Sequence, residues 1–304
     1  MVSVIIPTYK RSDTITNAID SVLNQTCPDI EIIVVDDNGD GTENQLATED
    51  RLKDYIDNHK IVYIKHLVNK NGSAARNTGF RACHGEYVNF LDDDDIMLPR
   101  KIELQLDALM NAKGTVGATY CNTIKIEKQH LTGITKKSES HYLEDGNILV
   151  PYLLGKVIFN TSSILFKKSV LDDLDGFDES WRRHQDYELM VRFFQKYTIV
   201  CASLEPLMIY DVTGERFNIP SPSKQYDLEE RFLRTFQPLI PPGDFPEIWK
   251  KMWMSCCSIS ILSFEYKIFR KSLQKLKELN NLGIKDNLKI LKWILMSLLL
   301  KINK

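Results

Sequence analysis

The sequence predicts an α/β chain with a mostly parallel, doubly wound central sheet flanked by helices, followed by an appended C-terminal helical region. Three observations carry this. Apolar runs of strand length at 2–6, 31–35, 61–64 and 87–91 alternate with helical patterns, the rhythm of a parallel sheet. Polar residues follow three of those runs directly, where ligands of such sheets sit. From Asp227 onward the pattern is entirely helical.

The elements follow in order. Val2, Val4, Ile5 and Ile6 form a strand closed by Pro7, and Ser12 or Asp13 can cap a helix with Ile15, Ile19, Val22 and Leu23 on one face. The second strand ends in Asp36-Asp37-Asn38-Gly39, a turn-forming acidic tip. A helix over 49–58 and a strand over 61–64 come next, and Gly72 opens a helix carrying Arg76. The fourth strand delivers four aspartates, Asp92, Asp93, Asp94 and Asp95. A helix over 99–112 and a strand over 116–121 follow, and 124–150 reads as a variable hairpin or mobile loop. A strand over 159–166, a short helix from Ser169 and a helix over 186–195 complete this part; 213–225 has linker composition.

The chain has 304 residues with ordinary globular composition, enough for one large domain or two. A net charge of −2 argues against a nucleic-acid partner. Six cysteines without CxxC spacing read as reduced thiols of a cytosolic protein. The N-terminus enters a strand with no charged leader, so no secretory signal is expected. No run approaches the ~20 apolar residues of a membrane span.

The aspartate quartet is the most informative feature. Packed carboxylates leaving a buried strand raise one another's pKa unless a cation or donors neutralise them. Only oxygen ligands are on offer, which suits Mg²⁺ or Mn²⁺, and such ions complete their shells with water and phosphate. The bland alternative is a solvated loop capping the helix near Pro99; the strand in front and the proline behind favour the metal site. Pro7-Thr8-Tyr9 could be a plain turn or present a ring to a nucleobase. Asp36 and Asp37 could cap a turn or accept from a base or ribose. Arg76 could sit among packing residues or answer a pyrophosphate. Each is ambiguous alone.

Their order is not. Residues 2–9, then Val34-Val35-Asp36-Asp37, then Ala75-Arg76-Asn77-Thr78-Gly79, then Phe90-Leu91 with the quartet resemble glycosyltransferase family 2, inverting enzymes of the GT-A fold. The resemblance runs from Val2 to about Tyr210. It implies that Pro7, Thr8, Tyr9, Asp36, Asp37, Arg76 and Asp93 contact the nucleotide, and that Asp92 and Asp94 hold Mn²⁺ or Mg²⁺, with the register ambiguous by one. Trp181-Arg182-Arg183-His184-Gln185-Asp186 is similar to the family's second acidic motif, which makes Asp186 the catalytic base; Gln185 replaces the first acid of the usual pair. Trp181 and His184 are candidates for the acceptor pocket, with ordinary packing as the alternative. Residues 159–163 resemble a family strand beside the active site, with no assigned role. A loop at 213–225 with Arg216 and Lys224 is a candidate lid over the diphosphate.

The resemblance divides the chain into a nucleotide-sugar-binding half at 1–115, an acceptor-binding half at 116–215 and a helical extension at 216–304. It implies a nucleotide-sugar donor, a UDP-hexose as first choice, a glycan or lipid-linked acceptor, and a role in bacterial surface-glycan synthesis. In the extension, Leu288, Leu291, Leu295 and Leu298 share one helical face and Lys285, Lys289 and Lys292 another. Three readings stay open there: peripheral contact with the inner face of the cell membrane, packing on neighbouring helices, or homo-oligomer formation. Two rivals oppose the transferase reading. A sugar nucleotidyltransferase would place a Gly-rich phosphate loop after its first strand, and a non-catalytic sugar-nucleotide-binding module would not need Asp186.

Overall fold

The computed structural model describes residues 1–128, 135–212, 220–279 and 282–302. The chain divides into two compact units, Met1–Tyr152 with Val157–Glu215 and Leu153–Lys156 with Arg216–Lys304.

The first unit opens with β1 (Val2–Thr8), α1 (Ile15–Leu23), β2 (Ile30–Asp36), α2 (Glu43–Asp57), β3 (Val62–Lys65), α3 (Gly72–Ala82) and β4 (Tyr87–Phe90). Strands β3-β2-β1-β4 lie side by side and all pair in parallel. Val4, Ile5 and Ile6 point to opposite faces yet are all buried, so the sheet is covered on both sides. Register aligns the tips: Thr8 pairs with Asp36, and Leu91 N donates to Ile5 O at 2.9 Å. Thr8, Asp37 and the quartet therefore emerge along one edge.

The unit continues with β5 (Asp95–Met97), α4 (Lys101–Asn111), β6 (Val116–Lys128), β7 (Thr135–Glu139), α5 (Leu149–Leu153), β8 (Ile164–Lys167), α6 (Lys168–Asp173), α7 (Gln185–Phe193) and β9 (Thr198–Asp211). The order across the sheet is β3-β2-β1-β4-β8-β6-β9-β5, with β7 beside β6. From β8 the sheet becomes mixed, because β8 runs antiparallel to both β4 and β6 whereas β6 and β9 are parallel.

Several boundaries differ from the sequence reading for local reasons. Helix α1 starts after Thr14, with no side-chain cap from Ser12 or Asp13. Helix α2 starts six residues before the expected 49, because Thr42 Oγ1 accepts from Gln45 N and supplies a cap. Residues 161–163 form a 3-10 turn and not a strand, held by Asn160 Oδ1 accepting from Ser163 N at 3.1 Å. The region read as a hairpin or loop contains β7 paired with a longer β6.

Helix α3 lies close on β1. A Cβ at Gly79 would stand 2.3 Å from Ile5 Cγ2, inside contact distance of a branched core side chain. Gly79→Ala is expected to destabilise the unit by about 1–3 kcal/mol through overpacking, read as a lower urea midpoint.

The second unit is helical: α8 (Pro222–Phe236), α9 (Phe245–Leu262), α10 (Tyr266–Lys277) and α11 (Ile284–Ile302). Its core gathers Phe232, Trp253, Cys257 and Leu276, all buried. Helix α8 begins where linker composition was read, since Ser221 Oγ accepts from Lys224 N and Pro222 fits the first turn. Residues 213–219 of that linker, including Arg216 of the candidate lid, lie outside the described residues. No helix among the described residues is long and apolar enough to cross a membrane.

Candidate active site

The edge beyond β1, β2 and β4 is a network of carboxylates answered by arginines. Thr8 Oγ1 donates to Asp93 Oδ2 at 2.7 Å. Arg11 Nη1 contacts Asp93 Oδ1 at 3.1 Å and Asp94 Oδ2 at 2.5 Å. Arg76 Nη2 pairs with Asp92 Oδ1 at 2.5 Å, and its Nη1 donates to Gln185 Oε1 at 2.8 Å. One guanidinium thus joins the quartet to the residue before Asp186. Arg76 Nε is buried with no hydrogen-bond partner among the described residues, leaving a spare donor. Space at Gly72 permits the arrangement, since a Cβ there would stand 2.9 Å from Arg76 Nη1 and 3.2 Å from Gln185 Oε1.

Asp93 and Asp95 are buried, whereas the Asp92 and Asp94 side chains keep 35% and 29% of their surface exposed. Burial lifts the Asp95 carboxyl well above its ordinary value, with Asp92 adding to the rise. Burial also raises Asp93 to about 7, against the pull of Arg11 and Thr8. Folded Asp93 therefore keeps a proton that the unfolded chain, near 3.8, releases. Its stabilising contribution is present below about pH 4 and is lost as pH rises through 7. Relative to Asp93→Asn, wild-type stability is expected to fall by up to about 4 kcal/mol across that window, measured by urea unfolding with chelator present.

The acidic tip of β2 turns inward. Asp36 is fully buried and accepts from Tyr63 Oη at 2.6 Å and from Asn38 N and Nδ2 at 2.8 Å each. Burial raises its pKa despite these donors. Both Asp36 oxygens are thus engaged within the protein. Asp37 is also buried; it takes Lys70 N at 2.7 Å, Asn71 N at 2.9 Å, Asn69 Nδ2 at 2.8 Å and His66 Nδ1 at 2.7 Å. Its carboxylate organises the segment 66–71 that leads into α3. Pro7 and Tyr9 remain partly exposed beside it, with Lys10 Nζ 5.1 Å from the Tyr9 ring centroid.

Asp186 is half-buried in the first turn of α7 and accepts from Tyr152 Oη at 3.3 Å. Tyr152 stacks on Phe159 at 4.4 Å between centroids, and burial followed by Asp186 pushes its pKa up. His184 precedes the helix in a left-handed conformation (φ 57°), its ring edge-on to Tyr187. Trp181 is only 2% exposed, and its backbone carbonyl accepts from Ser73 Oγ at 3.0 Å.

Sequence reasoning gave no role to Arg11, Tyr152 or Ser162, whose Oγ accepts from Asp92 N at 3.0 Å. The basic residues after Pro7-Thr8-Tyr9 were the available signal for Arg11. For Ser162 the signal was the resemblance of 159–163 to a family strand beside the active site; nothing local marks Tyr152.

Among the described residues, no group of three or more His, Cys, Asp or Glu is placed to hold a metal ion. Asp92 and Asp94 present partly exposed hard oxygens at the end of the parallel strands, each carboxylate paired with an arginine. That donor set fits Mg²⁺ or Mn²⁺ completed by water and phosphate oxygens, and does not fit an all-protein cage.

A half-parallel sheet with acidic strand tips, joined to a mixed half that contributes Asp186, defines the GT-A class of fold. The sequence profile described as Glycosyl transferase family 2 matches residues 3–174. The chain belongs to that family. It is 35% identical over 202 residues to an uncharacterized glycosyltransferase of Rickettsia prowazekii (strain Madrid E), covering 64% of this chain and 59% of that protein. It is 33% identical over 177 residues to the poly(ribitol-phosphate) beta-N-acetylglucosaminyltransferase TarP of Staphylococcus aureus (strain N315), covering 56% and 50%. The chain thus spans about three-fifths or less of these relatives' own length. In three dimensions it is similar to S. aureus TarS 1-349 in complex with UDP-GlcNAc, with TM-score 0.58, 16% identity and coverage of 91% and 90%. It is also similar to the mannosyltransferase PcManGT of Pyrobaculum calidifontis in complex with GDP-Man and Mn²⁺, with TM-score 0.57, 18% identity and coverage of 98% and 80%.

Proposed function

We propose that the chain transfers a sugar from a nucleotide-sugar to a hydroxyl of a bacterial glycan or lipid-linked acceptor, with inversion at the anomeric carbon. The observation that carries this reading is Arg76, whose guanidinium spans from Asp92 to Gln185 and so sets the acidic edge beside Asp186. Binding sites for a diphosphate and for a base are thereby adjacent.

The nucleotide lies along Pro7, Thr8 and Tyr9 and the segment 66–71 that Asp37 holds. Asp92 and Asp94 would hold Mn²⁺ or Mg²⁺, which supplies charge neutralisation to the departing diphosphate. Arg76 adds a fixed positive charge and its spare Nε donor to the same oxygens. Asp186 takes the proton of the acceptor hydroxyl while that oxygen bonds to the anomeric carbon. The bond to the diphosphate oxygen breaks with its electron pair, and the nucleoside diphosphate leaves from the opposite face. UDP-sugars are the first donors to test, supported by the UDP-GlcNAc bound to TarS; the GDP-Man bound to PcManGT makes GDP-sugars the second.

The test is incubation of the full chain with UDP- and GDP-sugars, with Mn²⁺, with Mg²⁺ and with chelator, following nucleoside diphosphate release. Release that depends on the ion supports the proposal. Pyrophosphate release from a nucleoside triphosphate and a sugar phosphate would identify a nucleotidyltransferase. Tight donor binding with no turnover on any acceptor would identify a binding module.

A further inference from the structure

Helix α11 carries an apolar stripe that nothing in its own unit covers. Ile290 and Ser297 are buried, whereas Leu288, Leu291, Leu295, Leu298 and Leu299 on the opposite face are 51–61% exposed. At 100° per residue these five fall within one third of the helix circumference, and Lys292, Lys285 and Lys289 follow along one side of them. Beyond that lysine edge, within the same unit, lies a cavity of about 640 Å³ lined by Lys156, Lys250, Lys251, Lys289 and Lys292 and by the carboxylates of Glu247 and Asp286, among others. Two of its lysines are answered: Lys250 by Asp286 at 3.3 Å and Lys156 by Glu247 at 3.8 Å. Lys251 is half-buried, donates to Leu153 O at 2.5 Å and has its pKa lowered by burial.

We propose that α11 lies in the surface of a bilayer containing anionic phospholipid, with the leucine stripe among the acyl chains and the adjoining lysine-lined cavity receiving lipid phosphate. Three observations select this occupant. A surface helix with leucines on one arc and lysines on the next has the arrangement of an interfacial helix, and α11 is not apolar enough to cross. The lysines stand between the stripe and the cavity, at the level where headgroups meet a helix half sunk in the interface. An antiparallel two-fold pair of chains is disfavoured, since it would set the lysine edge against its own duplicate.

The test is co-sedimentation of the full chain with vesicles of phosphatidylcholine alone or mixed with phosphatidylglycerol, alongside the variants Leu291→Glu/Leu295→Glu and Lys289→Glu/Lys292→Glu. All four positions are exposed, so unchanged thermal unfolding is expected and serves as the folding control. Wild type is expected to bind the anionic vesicles at least about tenfold better than the neutral ones, less so in high salt. Each double variant is expected to lose about tenfold or more of that binding. Equal binding to both vesicle types, or variants that bind like wild type, would overturn the proposal. So would a leucine variant that only converts a dimer to a monomer in sedimentation velocity. Donor turnover in solution is a separate readout, so failure here leaves the transferase reading standing.

Discussion

Asp186→Asn is expected to lower the rate of sugar transfer by about 10³-fold while nucleotide-sugar affinity changes by less than about twofold. The substitution keeps shape and keeps an oxygen that can accept from Tyr152, the hydrogen bond that fixes this side chain at 3.3 Å. What it removes is the capacity to take a proton. Every contact assigned to the nucleotide lies on residues 7–9, on the segment 66–71, at Arg76 or at the quartet, and none is made by Asp186, so binding has no reason to change. Calorimetric titration of the donor beside steady-state turnover separates the two effects. Tyr152→Phe provides the calibration: it frees the carboxylate without neutralising it, and a loss of about tenfold or less is expected. Turnover by Asp186→Asn at the wild-type rate would move the base elsewhere. Lost donor binding would make Asp186 part of the nucleotide site.

The parallel half of the sheet was legible because β1, β2 and β4 are short, largely buried runs that give way to polar residues at Thr8-Tyr9, Asp36-Asp37 and the quartet. Period and punctuation are local properties, and a sequence displays them. The mixed half was less so. Strand β5 is three residues long and begins inside the aspartate run, and β9 pairs with β6 through irregular register, so neither shows a clean alternation. At the site, residue types were readable but their directions were not. Asp36 and Asp37 look alike in sequence, yet Tyr63 captures one and the segment 66–71 captures the other. Arg76 meets Gln185 across 109 positions, and Arg11 meets Asp93 across 82. Such partnerships are set by strand order and leave no trace in spacing.

Arg76→Lys is the second large effect, and it separates charge from geometry. Lysine keeps the positive charge but carries a single ammonium, which cannot span Gln185 and Asp92 as the two arms of a guanidinium do. A fall of about 10²-fold in kcat is expected, the cost of losing one aimed donor to a charged leaving group. Folding is expected to respond as well: the Arg76 side chain is only 12% exposed and its guanidinium lies 5.6 Å from the Phe177 ring centroid, so a destabilisation of about 1–3 kcal/mol is expected in urea unfolding. Gln185→Glu tests the other end of the bridge. A carboxylate there draws the guanidinium into an ion pair without breaking its link to Asp92, so activity is expected to stay within about tenfold of wild type. Full kcat in Arg76→Lys would mean that charge alone suffices and the bridge is packing. Comparable losses in Arg76→Lys and Gln185→Glu would mean instead that the neutral amide at 185 sets the position of Asp186 directly.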